Sequence, residues 1–184
     1  MKPLLTLFRL PAVLFVFLAL GAAPARAASS AEIDAGVDHT LARFTKEVAG
    51  AEAFLKSAKG VLVFPKVYKA GIGIGGEYGE GALRVDGRSV DYYSTAAASV
   101  GYQLGGQVKS IIILFMKDEA LQKFRASEGW KAGVDGSIAL ADIGAGRELS
   151  TQTLKSPIVA FIFDQKGLMY NLTLEGSKFT KLKK

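Results

Sequence analysis

The stretch Lys59–Leu83, KGVLVFPKVYKAGIGIGGEYGEGAL, decides how the rest of this chain is read. Four apolar residues, Val61 to Phe64, lead into Lys66-Val67-Tyr68-Lys69, and six glycines then fall between Gly71 and Gly81. Glycine at that density removes side-chain bulk and admits positive φ, so the backbone must bend, bulge or lie against another surface. Gly71, Gly73 and Gly76 also spell GxGxxG, with Asp91 further along. A dinucleotide site needs such glycines to open a helix whose N-terminus holds the pyrophosphate. Here EYGEGALRVDG follows, with more glycine and a turn, so the segment reads as kinked β structure.

Upstream, residues 29–57 carry apolar side chains at Ile33, Val37, Leu41, Phe44, Val48, Ala51 and Leu55. That spacing draws one stripe along a helix, broken at most once. Ser30 is the expected N-cap, acids lie near the start, Lys56 and Lys59 near the end, and Gly60 stops the helix. The stripe suits either the domain's own sheet or a membrane surface. His39, the only histidine, sits on this helix as a solvated residue.

Downstream the periodicity alternates. Asp86-Gly87 between Val85 and Arg88 signals a two-residue hairpin. Ser99–Gly105 alternates, and Ile111-Ile112-Ile113-Leu114-Phe115 predicts a strand buried on both faces. Asp118 is expected to cap a short helix that turns Leu121 and Phe124 inward and ends at Gly129. Alternation resumes over 130–143, with Val134, Ile138 and Leu140 on one side. A second hairpin is expected, pairing Ile158–Phe163 with Leu168–Leu174 across Asp164–Gly167. The fold class is therefore α+β: a curved, mainly antiparallel, barrel-like sheet with an N-terminal amphipathic helix and one or two short helices.

Residues 1–27 read as a signal peptide: Lys2 and Arg9, an apolar run from Leu10 to Ala23, then Ala25-Arg26-Ala27. Residues 28–184 form a single domain, expected in the periplasm or secreted, and peripheral on a membrane. The whole chain is +6, but Lys2, Arg9 and Arg26 carry three of those charges, leaving +3 over 28–184. Positive charge is instead concentrated at Lys56, Lys59, Lys66 and Lys69, and at Lys178, Lys181, Lys183 and Lys184. Such localisation suits an anionic surface such as lipid headgroups, although solvated lysines are the ordinary alternative.

The chain has no cysteine and one histidine, so disulfides, thiolate metal sites and the usual nucleophile constellations are excluded. Glu77, Glu80, Asp86 and Asp91 cluster in sequence, but surface turns usually carry acids, and no enzymatic activity, cofactor or metal is expected. The Asn171-Leu172-Thr173 sequon falls within an alternating strand pattern.

The ordered blocks KGVLVFP, KAGIGIGGEYGEG, SVGYQLGGQ, IIILF and KGLMYNLTLEGS resemble the SYLF domain over roughly Ala51–Phe179. That family includes yeast actin-patch regulators and many exported bacterial proteins described as lipid-binding. Where many relatives have a tryptophan after the first hairpin, this chain has Tyr92 or Tyr93. The resemblance implies binding rather than catalysis, with phosphoinositide-type lipids and actin as the eukaryotic ligands. Its lipid contact, a basic and amphipathic region near the domain's start, maps onto Lys56, Lys59, Lys66 and Lys69. The function implied is peripheral association with anionic phospholipid membrane. The alternative is an actin-binding-like protein-interaction or envelope-stability module with a protein partner. Nucleic acid is not an expected partner.

Overall fold

The computed structural model describes residues 27–141, 155–167 and 174–184. Its centre is one very long antiparallel hairpin, β1 (Gly60–Val85) paired with β2 (Arg88–Phe115) from end to end. The turn is Asp86-Gly87, both at positive φ (51° and 76°), the geometry a two-residue hairpin loop with matching strand twist requires. Where separate strands joined by short turns were expected between Leu83 and Met116, β2 runs unbroken for 28 residues. Its glycines interrupt the pairing without ending it.

Twenty-six residues would extend some 85 Å if straight, far beyond a domain of this size, so the hairpin folds back over itself. Register shifts at Phe64/Val67 and Ile72/Ile74 mark the corners. At the first, Pro65-Lys66 bulge outward and the Ser110 hydroxyl donates to the Pro65 carbonyl at 2.8 Å. At the second, Gly73 takes φ 71° and Gly71 lies against Gly75 and the Ile74 carbonyl. The returning arm then lays its glycine face on the start of the same strand. A Cβ on Gly79 would stand 2.7 Å from the Lys66 carbonyl oxygen; one on Gly81 would stand 2.7 Å from Phe64 Cδ1 and closer still to the Val63 carbonyl. Those two glycines are demanded by backbone approach.

The remaining strands extend the two arms. β5 (Ile158–Gly167) pairs with β2 from Gln107 to Phe115, and β6 (Lys178–Leu182) pairs with Tyr92 to Ala96. β3 (Gly129–Lys131) joins β6 and β4 (Ala139–Ala141) joins β5. The β4–β5 pair is parallel and the other pairs are antiparallel, so the curled sheet is mixed and, as expected, mainly antiparallel. Asp164–Gly167 is not a hairpin turn. Asp164 instead occupies a bulge at φ 54° within β5, its carboxylate gripped by Arg43 at 2.5 Å, and the strand continues. That grip holds the Asp164 carboxyl below its usual range. The expected partner strand 168–173 and the sequon lie outside the described residues.

Ile111 to Phe115 are buried on both faces, as the apolar run requires. On the inner face Leu62, Phe64, Ile111, Ile113 and Phe115 meet the other arm and an aromatic cluster of Tyr93, Phe124, Trp130 and Phe179. On the outer face Val63, Ile112, Leu114, Phe161 and Phe163 are covered by α1 (Ser30–Glu47) and α2 (Ala51–Ser57). The helical stripe is thus committed to the sheet: Ile33, Val37 and Phe44 are buried, with Phe44 edge-on to Phe161 at 4.9 Å. The single break falls at Val48–Gly50, where Gly50 adopts φ 78°.

Several expected termini shift by a residue or more. Ser29 rather than Ser30 caps α1, in a capping box with Glu32. Lys117 rather than Asp118 is the cap residue of α3 (Asp118–Ala126), which ends at Ser127 before Gly129. Gly60 is the first residue of β1 and not a helix stop, since α2 already ends at Ser57 with Ala58 as its C-cap; a Cβ at Gly60 would stand 2.7 Å from Leu121. Leu121 and Phe124 do face inward, whereas Val134 lies exposed on the turn after β3 instead of sharing a face with Ile138 and Leu140.

A buried ion pair ties the two arms. Glu77, on the returning arm, meets Lys109 of β2 at 2.9 Å, their side chains 7% and 1% exposed. The α1 helix adds a clamp on the hairpin's far end: Asp34 accepts from Ser89 at 2.6 Å and Tyr92 at 2.8 Å, and Arg84 pairs with Asp38 at 2.6 Å.

Two outcomes test this closure. Gly81→Ala lowers the urea-unfolding stability by about 2–3 kcal/mol, because the added methyl cannot be accommodated without backbone movement. Gly76→Ala, whose Cβ would meet nothing within 4 Å, leaves it unchanged or raises it slightly. Lys109→Met alone costs about 3–5 kcal/mol by stranding the Glu77 carboxylate, and adding Glu77→Leu recovers part of that loss in the same measurement.

Candidate functional site

The hairpin's second corner leaves its apolar side chains without a partner. Ile72 and Ile74, flanking Gly73, are 80% and 72% exposed, and Tyr68 and Tyr78 beside them are half exposed. All four belong to β1, where alternation combined with the bend turns them away from both cores. The result is an aliphatic tip on an aromatic shoulder.

Beside the shoulder runs a groove of about 570 Å³ between the start of α1 and β1. Ala28, Ile33, Gly36, Pro65, Tyr68 and Tyr78 line it, with Lys66, Glu32 and Glu80 at its rim. Gly36 lets the helix close down, since a Cβ there would stand 3.0 Å from Pro65 Cγ. Both rim carboxylates are engaged. Glu32 accepts from the Ser29 backbone N–H at 2.7 Å, and Glu80 accepts from the Tyr78 hydroxyl at 2.8 Å and Lys184 at 3.0 Å. Burial first, and the Glu80 contact second, push the Tyr78 phenol up to about 12, so it stays a neutral donor. Lys66 has no ion-pair partner among the described residues, and Glu32, whose Ser29 partner is neutral, has none either; they stand on opposite sides of the groove, Lys66 on β1 and Glu32 on α1.

The four lysines singled out from sequence do not converge. Lys56 is exposed on α2; Lys59 is exposed at the start of β1 and lies 3.9 Å from Asp118. Lys66 stands about seven residues further along the strand, a separation of roughly 20 Å. Lys69, expected at the surface, is only 6% exposed: it points inside, directly across from Gln107. Lys66 and Lys69 are three residues apart, and an odd separation along a strand places side chains on opposite faces. Of the C-terminal lysines, Lys181 pairs with Asp91 at 2.6 Å and Lys184 with Glu80 and the Ala28 carbonyl, so both serve to close the fold.

The carboxylates that cluster in sequence are likewise dispersed. Glu77 is held by Lys109, Glu80 by Lys184, and Asp91 by both Arg125 at 2.9 Å and Lys181, while Asp86 sits in the hairpin turn. No group of acidic or histidine residues able to hold a metal ion occurs among the described residues. No helix among them is long and apolar enough to cross a membrane. Sequence reasoning missed the isoleucine tip, although Gly71-Ile72-Gly73-Ile74-Gly75 carried the signal: aliphatic residues between glycines, with too little neighbouring bulk to bury them.

Residues 96–184 match the family model described as Ysc84, Las17-binding protein actin regulator. No curated protein matches the chain.

Proposed function

From the premise that residues 96–184 belong to the Ysc84 (SYLF) family, we propose that this chain is a non-catalytic binding module that docks peripherally on anionic membrane surfaces. The observation that carries this reading is the exposed Tyr68, Ile72, Ile74, Tyr78 cluster beside the unpaired Lys66. Apolar side chains held next to uncompensated positive charge match the chemistry of a lipid surface, which offers hydrocarbon beneath anionic headgroups. Lys56 on α2 and Lys59 just before β1 add positive charge elsewhere. Lys69 takes no part, because burial removes it from any headgroup. An exported location, with cleavage after residue 27, would bring the domain to an envelope membrane.

A second reading rests on the family's own description, which names a protein partner and actin regulation. Under it the same exposed surface would meet a protein. The two readings separate in one experiment on residues 28–184. Sedimentation with phosphatidylglycerol-containing vesicles at low salt is expected, and Lys56→Glu/Lys59→Glu/Lys66→Glu weakens it at least about 100-fold, from roughly 1 kcal/mol of lost attraction per lysine plus the repulsion of the added carboxylates. The effect shrinks in 0.5 M salt as screening removes it. Absence of vesicle binding at every ionic strength, together with stoichiometric capture of one protein, selects the second reading.

A further inference from the structure

The corner of β1 is built as a wedge, and we infer that it enters the membrane: Ile72 and Ile74 pass below the headgroups, Tyr68 and Tyr78 stop at the interface, and Lys66 stays at phosphate level. The inference rests on the membrane reading above and supplies what that reading lacks, the depth and orientation of docking.

Four observations carry it. The tip is apolar and open to solvent on described residues alone, with the isoleucines 80% and 72% exposed. On the β1 side it is narrow, because glycines at 71, 73, 75 and 76 leave Ile72 and Ile74 as the side chains that this strand projects from the bend. The polarity is graded, from aliphatic tip to half-exposed tyrosines to an ammonium group, the order in which these groups partition across a bilayer interface. Of the acids flanking the tyrosines, Glu80 is ion-paired with Lys184, while Glu32, hydrogen-bonded to Ser29, stands across the groove on α1, so on β1 beside the shoulder the charge without an ion-pair partner among the described residues is that of Lys66.

Size argues against a folded protein partner. Among the described residues, the exposed parts of these four side chains amount to on the order of 400–500 Å², against about 800 Å² on each partner in a stable interface. A fluid phase closes around a small protrusion without needing a complementary shape. Insertion is shallow: interfacial elements sink about 5–10 Å, and a strand corner cannot go deeper without exposing unpaired backbone groups to hydrocarbon.

The test uses residues 28–184 with vesicles of phosphatidylcholine alone or mixed with phosphatidylglycerol. Ile72→Trp is expected to shift its emission to the blue on vesicle binding and to be quenched by lipids brominated near the glycerol end of the acyl chain. The buried native Trp130 is subtracted with the unmodified chain, and Val134→Trp, also on an exposed site, shows neither change. Ile72→Ser/Ile74→Ser is expected to lower vesicle partitioning by at least about 30-fold. Its urea midpoint stays within error of the parent, because neither side chain packs in a core. Unlike the lysine reversal, its effect persists in 0.5 M salt. If the parent chain sediments with vesicles while Ile72→Trp emission stays unshifted, insertion is refuted and surface docking stands. If the parent chain binds no vesicle of either composition, both fall. If it forms a dimer that Ile72→Ser/Ile74→Ser dissolves, the tip is a contact between copies and the inference is overturned.

Discussion

The structure depends on one close approach: the glycine face of residues 79–81 lying on the backbone of residues 63–66 of the same strand. A hairpin of this length has no core while straight. Folding it double brings Leu62, Phe64 and Val67 against Leu83 and Tyr93, and creates an interior between the arms. The approach is possible only because no Cβ intervenes.

The buried Glu77–Lys109 pair follows from the same closure. An isolated charge at either position would be strongly unfavourable, and the pair repays its desolvation only when the arms meet in one register. Hydrophobic contact between the arms is non-directional and tolerates sliding, whereas this contact does not. Asp34, placed by α1 against Ser89 and Tyr92, fixes the far end of the hairpin in the same way from outside. That contact holds the Tyr92 phenol above its ordinary range, in keeping with a neutral hydroxyl that donates to a carboxylate.

Closure also creates the exposed corner. Doubling a strand back on itself requires a turn with little bulk, and Gly71, Gly73 and Gly75 provide it, but the two isoleucines between them then lie outside both cores. The geometry that makes the interior therefore places apolar groups at the surface, at the cost of leaving them solvated. Fold and proposed binding surface share one cause. The family match over residues 96–184 covers most of β2, α3 and the later strands, while α1, α2 and β1 with its isoleucines lie ahead of it.

Much of the fold was legible because it depends on local periodicity. The α1 stripe, the Asp86-Gly87 turn, the doubly buried 111–115 strand and the rejection of a nucleotide loop each rest on neighbours within a few residues. The candidate site was less legible. Lys56, Lys59, Lys66 and Lys69 are close in sequence, yet a strand carries its residues apart at about 3.3 Å each and alternates their faces, so one became buried and the rest were separated. Asp164–Gly167 read as a turn between two alternating segments, whereas in the structure the strand continues through a bulge at Asp164, whose carboxylate meets Arg43, 121 positions away. The sequence by itself determined which segments are helical or extended and that the glycine run must bend, since those properties follow from side-chain pattern and steric freedom. Only the tertiary structure decided what the bend lies against, which charges are neutralised and which apolar groups stay exposed, because each depends on residues brought together across the chain.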